Sequence, residues 1–399
     1  MRRVRPSLLA IACALSCSSD GGGGSDPSPD ATAIDFDRSA MLANLARNVV
    51  LPTYETFAED AAAMVPAVMA YCDSLGGPDE AATRAGALAG WAAAMSTWQR
   101  AELMIIGPAS KDGDALRDLI YSWPIVSACA VDGDVMLLRN DPTSYDIGER
   151  FPNRRGLDGL EYVLHTTSLD SVCSAQPPGW EELNEAERRA ARCAYALVAT
   201  RDLANQALLL RDAWRPEGGD FASELASAGK DGSSFATIED GLNAAFGALF
   251  YLDTKTKDAK LGKPAGLLLN VCGTTGEACP QALESQYAHR SKDNVAANLH
   301  GFEMMFFGNS PDGIEGSGFD DYLRALGADE LADHFETETG DARATIDALP
   351  DSLLELLTSD LDAVIQAHSE IRDVTGPLKQ DAPDLLGLKI PEEAGGDTD

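Results

Sequence analysis

The chain has 399 residues, 45% of them hydrophobic, and a formal net charge of -33 at pH 7. That length exceeds what one core ordinarily supports, so two helical domains or one large two-part domain is expected. The charge speaks against nucleic acid as a partner, because phosphate binding needs clustered Lys and Arg, and it favours cationic ligands, metal ions among them.

The N-terminus reads as an export signal: Arg2, Arg3 and Arg5, an apolar stretch from Leu8 to Leu15, then small residues before Cys17. The stretch is too short to span a membrane as a mature helix. Ala14-Leu15-Ser16-Cys17 resembles the lipobox of bacterial lipoproteins. That likeness implies a signal peptide of residues 1–16, a lipid on Cys17 and the membrane as a partner through that lipid. Residues 17–35, rich in Gly, Ser, Asp and Pro, suit a flexible tether.

From there the periodicity is helical nearly throughout. Apolar residues at three-four spacing predict helices over Arg38 to Leu75 and Asp79 to Ile106, joined at Gly76-Gly77-Pro78. Further helices are predicted over Trp123 to Leu138, Glu181 to Trp214, Phe235 to Tyr251, Gln281 to Phe307, Asp329 to Leu349 and Ser352 to Thr375. Gly, Pro and Asp mark loops at Arg139 to Arg155, Arg215 to Ser234, Leu261 to Pro280 and Asn309 to Phe319. The expected fold is all-α: a first half over 36–215, a connecting loop at 216–234, a second half over 235–390 and an acidic tail at 391–399.

Six cysteines remain once Cys13 and Cys17 are set aside, and an even number suits disulfides in an oxidising compartment. Fifteen pairings are possible. The short loop from Cys272 to Cys279 and the Pro-rich loop from Cys173 to Cys193 invite local bridges, which leaves Cys72 with Cys129. No CxxC occurs, so a thiolate zinc site or a thioredoxin-like redox pair has little support.

The octapeptide Leu157-Asp158-Gly159-Leu160-Glu161-Tyr162-Val163-Leu164 recurs as Leu299-His300-Gly301-Phe302-Glu303-Met304-Met305-Phe306. In each copy a polar residue and a glutamate stand three apart on one helical face beside an apolar stripe. Two helical-bundle halves related by a pseudo-repeat are therefore expected, each aiming two ligands inward: Asp158 and Glu161 from one, His300 and Glu303 from the other. Approach of the two pairs would make a mixed site for a divalent or ferric ion. Glu102 and Arg155 are candidates to support it, as are Glu284, Tyr287, Ser291 and Asp293 before the second copy. Asp112-Gly113-Asp114 is no calcium loop, since no glutamate closes it and Lys111 intrudes. No phosphate loop, Rossmann fingerprint or Ser-His-Asp order is present, so a nucleotide has no visible seat.

Met95-Ser96-Thr97-Trp98-Gln99-Arg100-Ala101-Glu102 leading to Gly107-Pro108, then Arg155 to Tyr162, then Leu378-Lys379-Gln380-Asp381 with Leu385 to Pro391 and Gly396 to Asp399, together resemble the imelysin family. The resemblance implies a bacterial, surface or periplasmic protein of two bundle-like halves. It also brings an association with iron uptake, a grouping among the M75 peptidases and a GxHxxE signature. Gly156 and Glu161 match that signature, but Asp158 stands where histidine belongs. Carboxylate in place of imidazole favours harder or more highly charged ions and weakens the peptidase reading more than cation binding.

The function expected is that of an exported, lipid-anchored protein binding a metal ion or a metal-containing ligand. Its partners would be a metal-uptake transporter or an outer-membrane receptor. An exported metal-dependent peptidase with Glu161 as base, and a surface scaffold without metal, are the alternatives.

Overall fold

The computed structural model describes residues 35–392 and 394–395. The lipobox with Cys17 and residues 396–399 lie outside them.

Asp37 opens the first helix, its carboxylate accepting the Ala40 N–H at 2.9 Å. Helix α1 (Arg38–Asn44) runs through a π-helical turn, Leu45–Val50, into α2 (Leu51–Asp73). The chain reverses at Gly76, whose N–H reaches the Glu80 carboxylate at 2.7 Å, and returns as α3 (Glu80–Ala101). Tyr54, Phe57, Ala61, Met64 and Val68 on α2, and Trp91, Ala94, Met95 and Trp98 on α3, are fully buried at three-four spacing. That spacing turns both stripes toward one another, with α2 also packing on the later helix α7 and α3 on the later helix α10.

Helices α4 (Lys111–Ile120), α5 (Ala128–Asn140) and α6 (Gly156–His165) follow. An Asn184–Glu187 capping box then starts α7 (Glu185–Trp214). A short α8 (Phe221–Ala226) sits inside the expected linker, and a Thr237–Asp240 box starts α9 (Ile238–Ala248). The chain continues into a π-helical segment, Leu252–Gly262. Helices α10 (Ser291–Phe306), α11 (Phe319–Ala325), α12 (Asp329–Ala348), α13 (Leu353–Ser359), α14 (Leu361–Lys379) and α15 (Asp381–Leu386) complete the fold. No strand forms among the described residues, as the periodicity predicts.

Several helix boundaries differ from expectation, the predicted start at Trp123 falling at Ala128 among them, and two of the differences have clear local reasons. The helix predicted from Gln281 begins only at Ser291, because Pro280 opens a 3-10 turn and Ser285 and His289 take φ of +51 and +55. The helix predicted over Ser352 to Thr375 breaks at Asp360, whose side chain caps α14 through the Ala363 N–H at 3.3 Å. The two proposed halves share one hydrophobic cluster, and α10 lies against α3. The two octapeptides occupy α6 and α10, yet their glycines serve different contacts. A Cβ on Gly159 would meet the Arg154 carbonyl of its own entry turn, whereas one on Gly301 would lie 2.4 Å from the Arg100 carbonyl of α3. The internal repeat is thus not confirmed by the packing.

The disulfides correct the expected pairing. Cys272–Cys279 forms as predicted, but Cys72 joins Cys193 and Cys129 joins Cys173. The end of α2 lies beside α7, which sets the Cα atoms of Cys72 and Cys193 5.5 Å apart across 121 residues of sequence. Closeness along the chain misleads where long helices bring distant positions together. Peptide mapping without reduction is expected to recover these three bridges. Replacing Cys72 and Cys193 together with alanine should lower unfolding stability by about 2–4 kcal/mol, read from denaturant midpoints, since the bridge closes the longest loop.

Candidate functional site

Helix α6 is seated before it is armed. Gly156 takes φ +77 where a Cβ would come within 2.5 Å of the Ile120 carbonyl, so only glycine lets the helix enter this closely. The preceding Arg155 is locked to Asp202 through its Nε at 2.8 Å and donates to the Ile147 carbonyl at 2.7 Å. Leu157, Leu160 and Leu164 are buried, and Trp91 donates its indole N–H to the Leu157 carbonyl at 2.8 Å. With the apolar stripe held, Asp158 and Glu161 face a cavity of about 500 Å³ lined also by Trp123, Lys263, Leu269 and Tyr287.

Both carboxyls are 4% exposed. Asp158 accepts the Ser122 N–H at 3.0 Å and the Ser122 hydroxyl at 2.7 Å on one oxygen, and the Gly159 N–H at 3.0 Å on the other. Glu161 accepts the N–H groups of Tyr287 and Ala288, both at 2.9 Å, and lies 3.3 Å from the Ser285 hydroxyl. The turn before α10, irregular where a helix was expected, therefore folds around the Glu161 carboxylate. Burial pushes both groups up to about 7, against the opposing pull of those N–H donors.

Behind the cavity lies a second polar layer. The Lys260 ammonium contacts Glu102 at 2.9 Å, Glu284 at 3.0 Å and the Gln99 side-chain oxygen. Tyr121 donates to Glu284 at 2.7 Å, and Asn298 donates to the Gln99 carbonyl at 2.6 Å. Lys260, Glu102 and Glu284 are almost wholly buried. Burial pushes Glu102 upward, but Lys260 and Arg117 together hold it below the ordinary carboxylate value.

The sequence-derived set therefore divides. Asp158 and Glu161 share the cavity, Glu102 and Glu284 lie in the layer behind it, and Ser291 donates to the Glu284 carbonyl. Arg155 supports α6 from Asp202, while Asp293 pairs with Arg290 at 2.8 Å. His300 and Glu303 stand elsewhere: Glu303 pairs with Arg343, which also lies 3.0 Å from His300 Nδ1. Neither lines the cavity, and among the described residues no three of His, Cys, Asp and Glu gather closely enough to hold an ion. The four-residue arrangement expected from the repeat is not assembled here, because α10 turns its His-Glu pair toward Arg343 of α12. Sequence reading missed Ser122, Ser285, Lys260 and Tyr121. Lys260 lies in the polar run Leu252–Gly262 with Lys255 and Lys257, and nothing in that run marks it in sequence as the lysine that pairs with Glu102 and Glu284.

With this geometry in place, comparison supplies a family. The imelysin family model, that of the M75 peptidases, matches residues 50–380, and the chain belongs to this family. An imelysin-like protein from Psychrobacter arcticum 273-4 superposes with a TM-score of 0.65 at 20% identity, covering 90% of this chain and 99% of that one. An iron-regulated protein A precursor from Parabacteroides distasonis gives 0.66 at 18% identity, covering 89% and 95%. Identities at this level establish a common fold. No curated protein matches the chain.

The carboxyl pair makes stability depend on pH in a definite direction. With a folded pKa raised from 4.5 to about 7, Glu161 costs nothing below pH 4.5 and its full amount above pH 7. In Glu161→Gln the amide oxygen keeps the Tyr287 and Ala288 N–H bonds and the amide nitrogen can donate to Ser285. That variant is expected to match the native protein near pH 4 and to exceed it at pH 8 by about 1–3 kcal/mol in denaturant unfolding. A native protein more stable than the variant at pH 8 would show that the charged form is the favoured one.

Proposed function

We propose that this imelysin-family chain is a lipid-anchored envelope protein that captures a cationic ligand in the α6 cavity, a metal bearing ligands of its own above all. One observation carries the reading: two buried carboxyls, paired on one helical face, open into a cavity whose remaining walls, Lys263 apart, are largely apolar. Such a floor selects positive charge, because a bound cation holds both groups ionised and relieves the cost of burying them.

Lone-pair accounting separates a bare ion from a complex. Donors already occupy three sites on Asp158 and three on Glu161. With about four sites per carboxylate, roughly one remains on each. Calcium takes six to eight oxygens and a catalytic zinc keeps about three protein ligands, so the residues present do not fit an ion held by protein alone. They fit a complex that needs only a pair of carboxylate contacts. The same accounting gives no support to a metal-activated peptidase seated on Glu161.

Other observations support the setting. Three disulfides suit an oxidising compartment. No helix among the described residues is long and apolar enough to cross a membrane; in this reading Cys17 carries the anchor. A structural neighbour is called an iron-regulated protein, which accords with iron as the metal; a metal-uptake transporter or outer-membrane receptor would be the partner receiving it.

Thermal unfolding tests the reading with Fe³⁺, Fe²⁺ and Zn²⁺, each offered as the free ion and as a cationic chelate. The chelate of the preferred metal is expected to raise Tm by mass action, more strongly at pH 8 than at pH 5, and Glu161→Gln should remove most of the increment. A shift from free ions alone would mean that the protein completes the coordination itself. No shift from any of them would leave a scaffold.

A further inference from the structure

On the far side of α6 lies a second cavity, of about 340 Å³, whose chemistry is opposite to the first. Its lining includes Arg84, Arg189 and Arg192 with the hydroxyl residues Thr166 and Thr167. Glu185 is the one carboxylate among the described lining residues, and it is exposed. Three guanidinium groups around one hollow are unexpected in a chain of net charge -33.

Two of the three arginines are already committed. Arg189 is ion-paired with Glu80. Arg192 is 4% exposed and donates to the Ser168 and Asp170 carbonyls, to the Tyr162 hydroxyl at 3.1 Å and to Asp132 at 3.3 Å. Its Nε, although buried, has no hydrogen-bond partner. Arg84 differs from both. It is half-buried, its hydrogen bond goes to the neutral Leu164 carbonyl at 2.9 Å, and it has no ion pair among the described residues.

A guanidinium partly withdrawn from water without an ion-pair partner favours an incoming negative charge, and its planar fork matches two oxygens of one anionic group. We infer that this cavity is a binding site for a small oxyanion, a carboxylate or a phosphate, with Arg84 as the principal contact, Thr166 and Thr167 as hydroxyl donors, and Arg189 and Arg192 fixing the positive wall. The neighbouring His165 is brought down to about 4 mainly by burial, with Arg84 the first of the charges that add to it. The inference stands apart from the cation-binding reading, since it uses none of the residues facing the first cavity.

Titration of the full chain with inorganic phosphate and with a dicarboxylate, against chloride at equal ionic strength, tests it. At about 20 mM, one of the two oxyanions is expected to raise Tm by about 2 °C or more beyond chloride. The responding arm names the class. Arg84→Gln should weaken calorimetric binding at least about tenfold, and Arg84→Lys should restore phosphate better than carboxylate, because lysine keeps the charge but loses the fork. Thr166→Val, which leaves every charge in place, should weaken binding several-fold and serves if Arg84→Gln does not fold. Equal shifts from phosphate, dicarboxylate and chloride, or full binding by a folded Arg84→Gln, would overturn the proposal.

Discussion

The ion-paired ammonium of Lys260 is the interaction on which the rest of the architecture depends. It joins three parts of the chain that meet nowhere else in sequence: Glu102 just beyond α3, Glu284 in the turn before α10, and the π-helical segment that carries Lys260 itself. A buried ion pair contributes only where its remaining hydrogen-bonding capacity is met. Here Gln99, Tyr121 and Asn298 supply most of it. Without the ammonium, two carboxylates would face one another in the interior. The packing of early helices against late ones is thus fixed by charge as well as by apolar area.

That constraint extends to the cavity. Glu284 is followed directly by Ser285, where the backbone turns left-handed and presents the Tyr287 and Ala288 N–H groups to Glu161. Asn294 of α10 donates to the Ser285 hydroxyl at 3.2 Å and pins the same turn from the other side. The cradle of Glu161 is thus a consequence of where Lys260 holds Glu284. Desolvation and N–H donation then act against one another on the carboxyl, and burial is the larger effect. The outcome is a pair of groups poised near neutrality, responsive to any positive charge that enters.

The all-helical character, the long α2, α3 and α7, and the pairing of Asp158 with Glu161 were legible because each follows from three-four periodicity. What escaped depends on contacts between segments far apart. The spacing of Cys173 and Cys193 suggests a local bridge, but the register of α2 on α7 decides the pairing. The likeness of the two octapeptides is real in sequence. It does not carry over to their surroundings, since Asp158 meets Ser122 while His300 and Glu303 meet Arg343. Gln281 to Arg290 has helical composition, yet Pro280 and two left-handed residues make it the turn that the site requires. A periodicity argument sees which face a residue occupies and not which partner waits there.

The two cavities sit on one ten-residue helix and obey different electrostatics. Tyr162 lines the first, and its hydroxyl accepts from Arg192, which lines the second, so the wall between them is a single side chain and its partner. The net charge of -33 spreads a negative potential over the surface at distances up to about one Debye length, roughly 8–10 Å at ordinary salt. That field draws a cation toward the carboxyl-floored cavity before any contact is made, and it repels an anion from the arginine-lined one. Affinity for the anion must therefore come from short-range contacts in a partly desolvated hollow, where bulk salt screens little. Added salt then acts oppositely on the two approaches, slowing the cation by weakening its attraction and hastening the anion by weakening its repulsion. The field of the whole chain thus reinforces the carboxyl pair on one face of the helix and opposes the arginines on the other, whose local charge prevails only at contact.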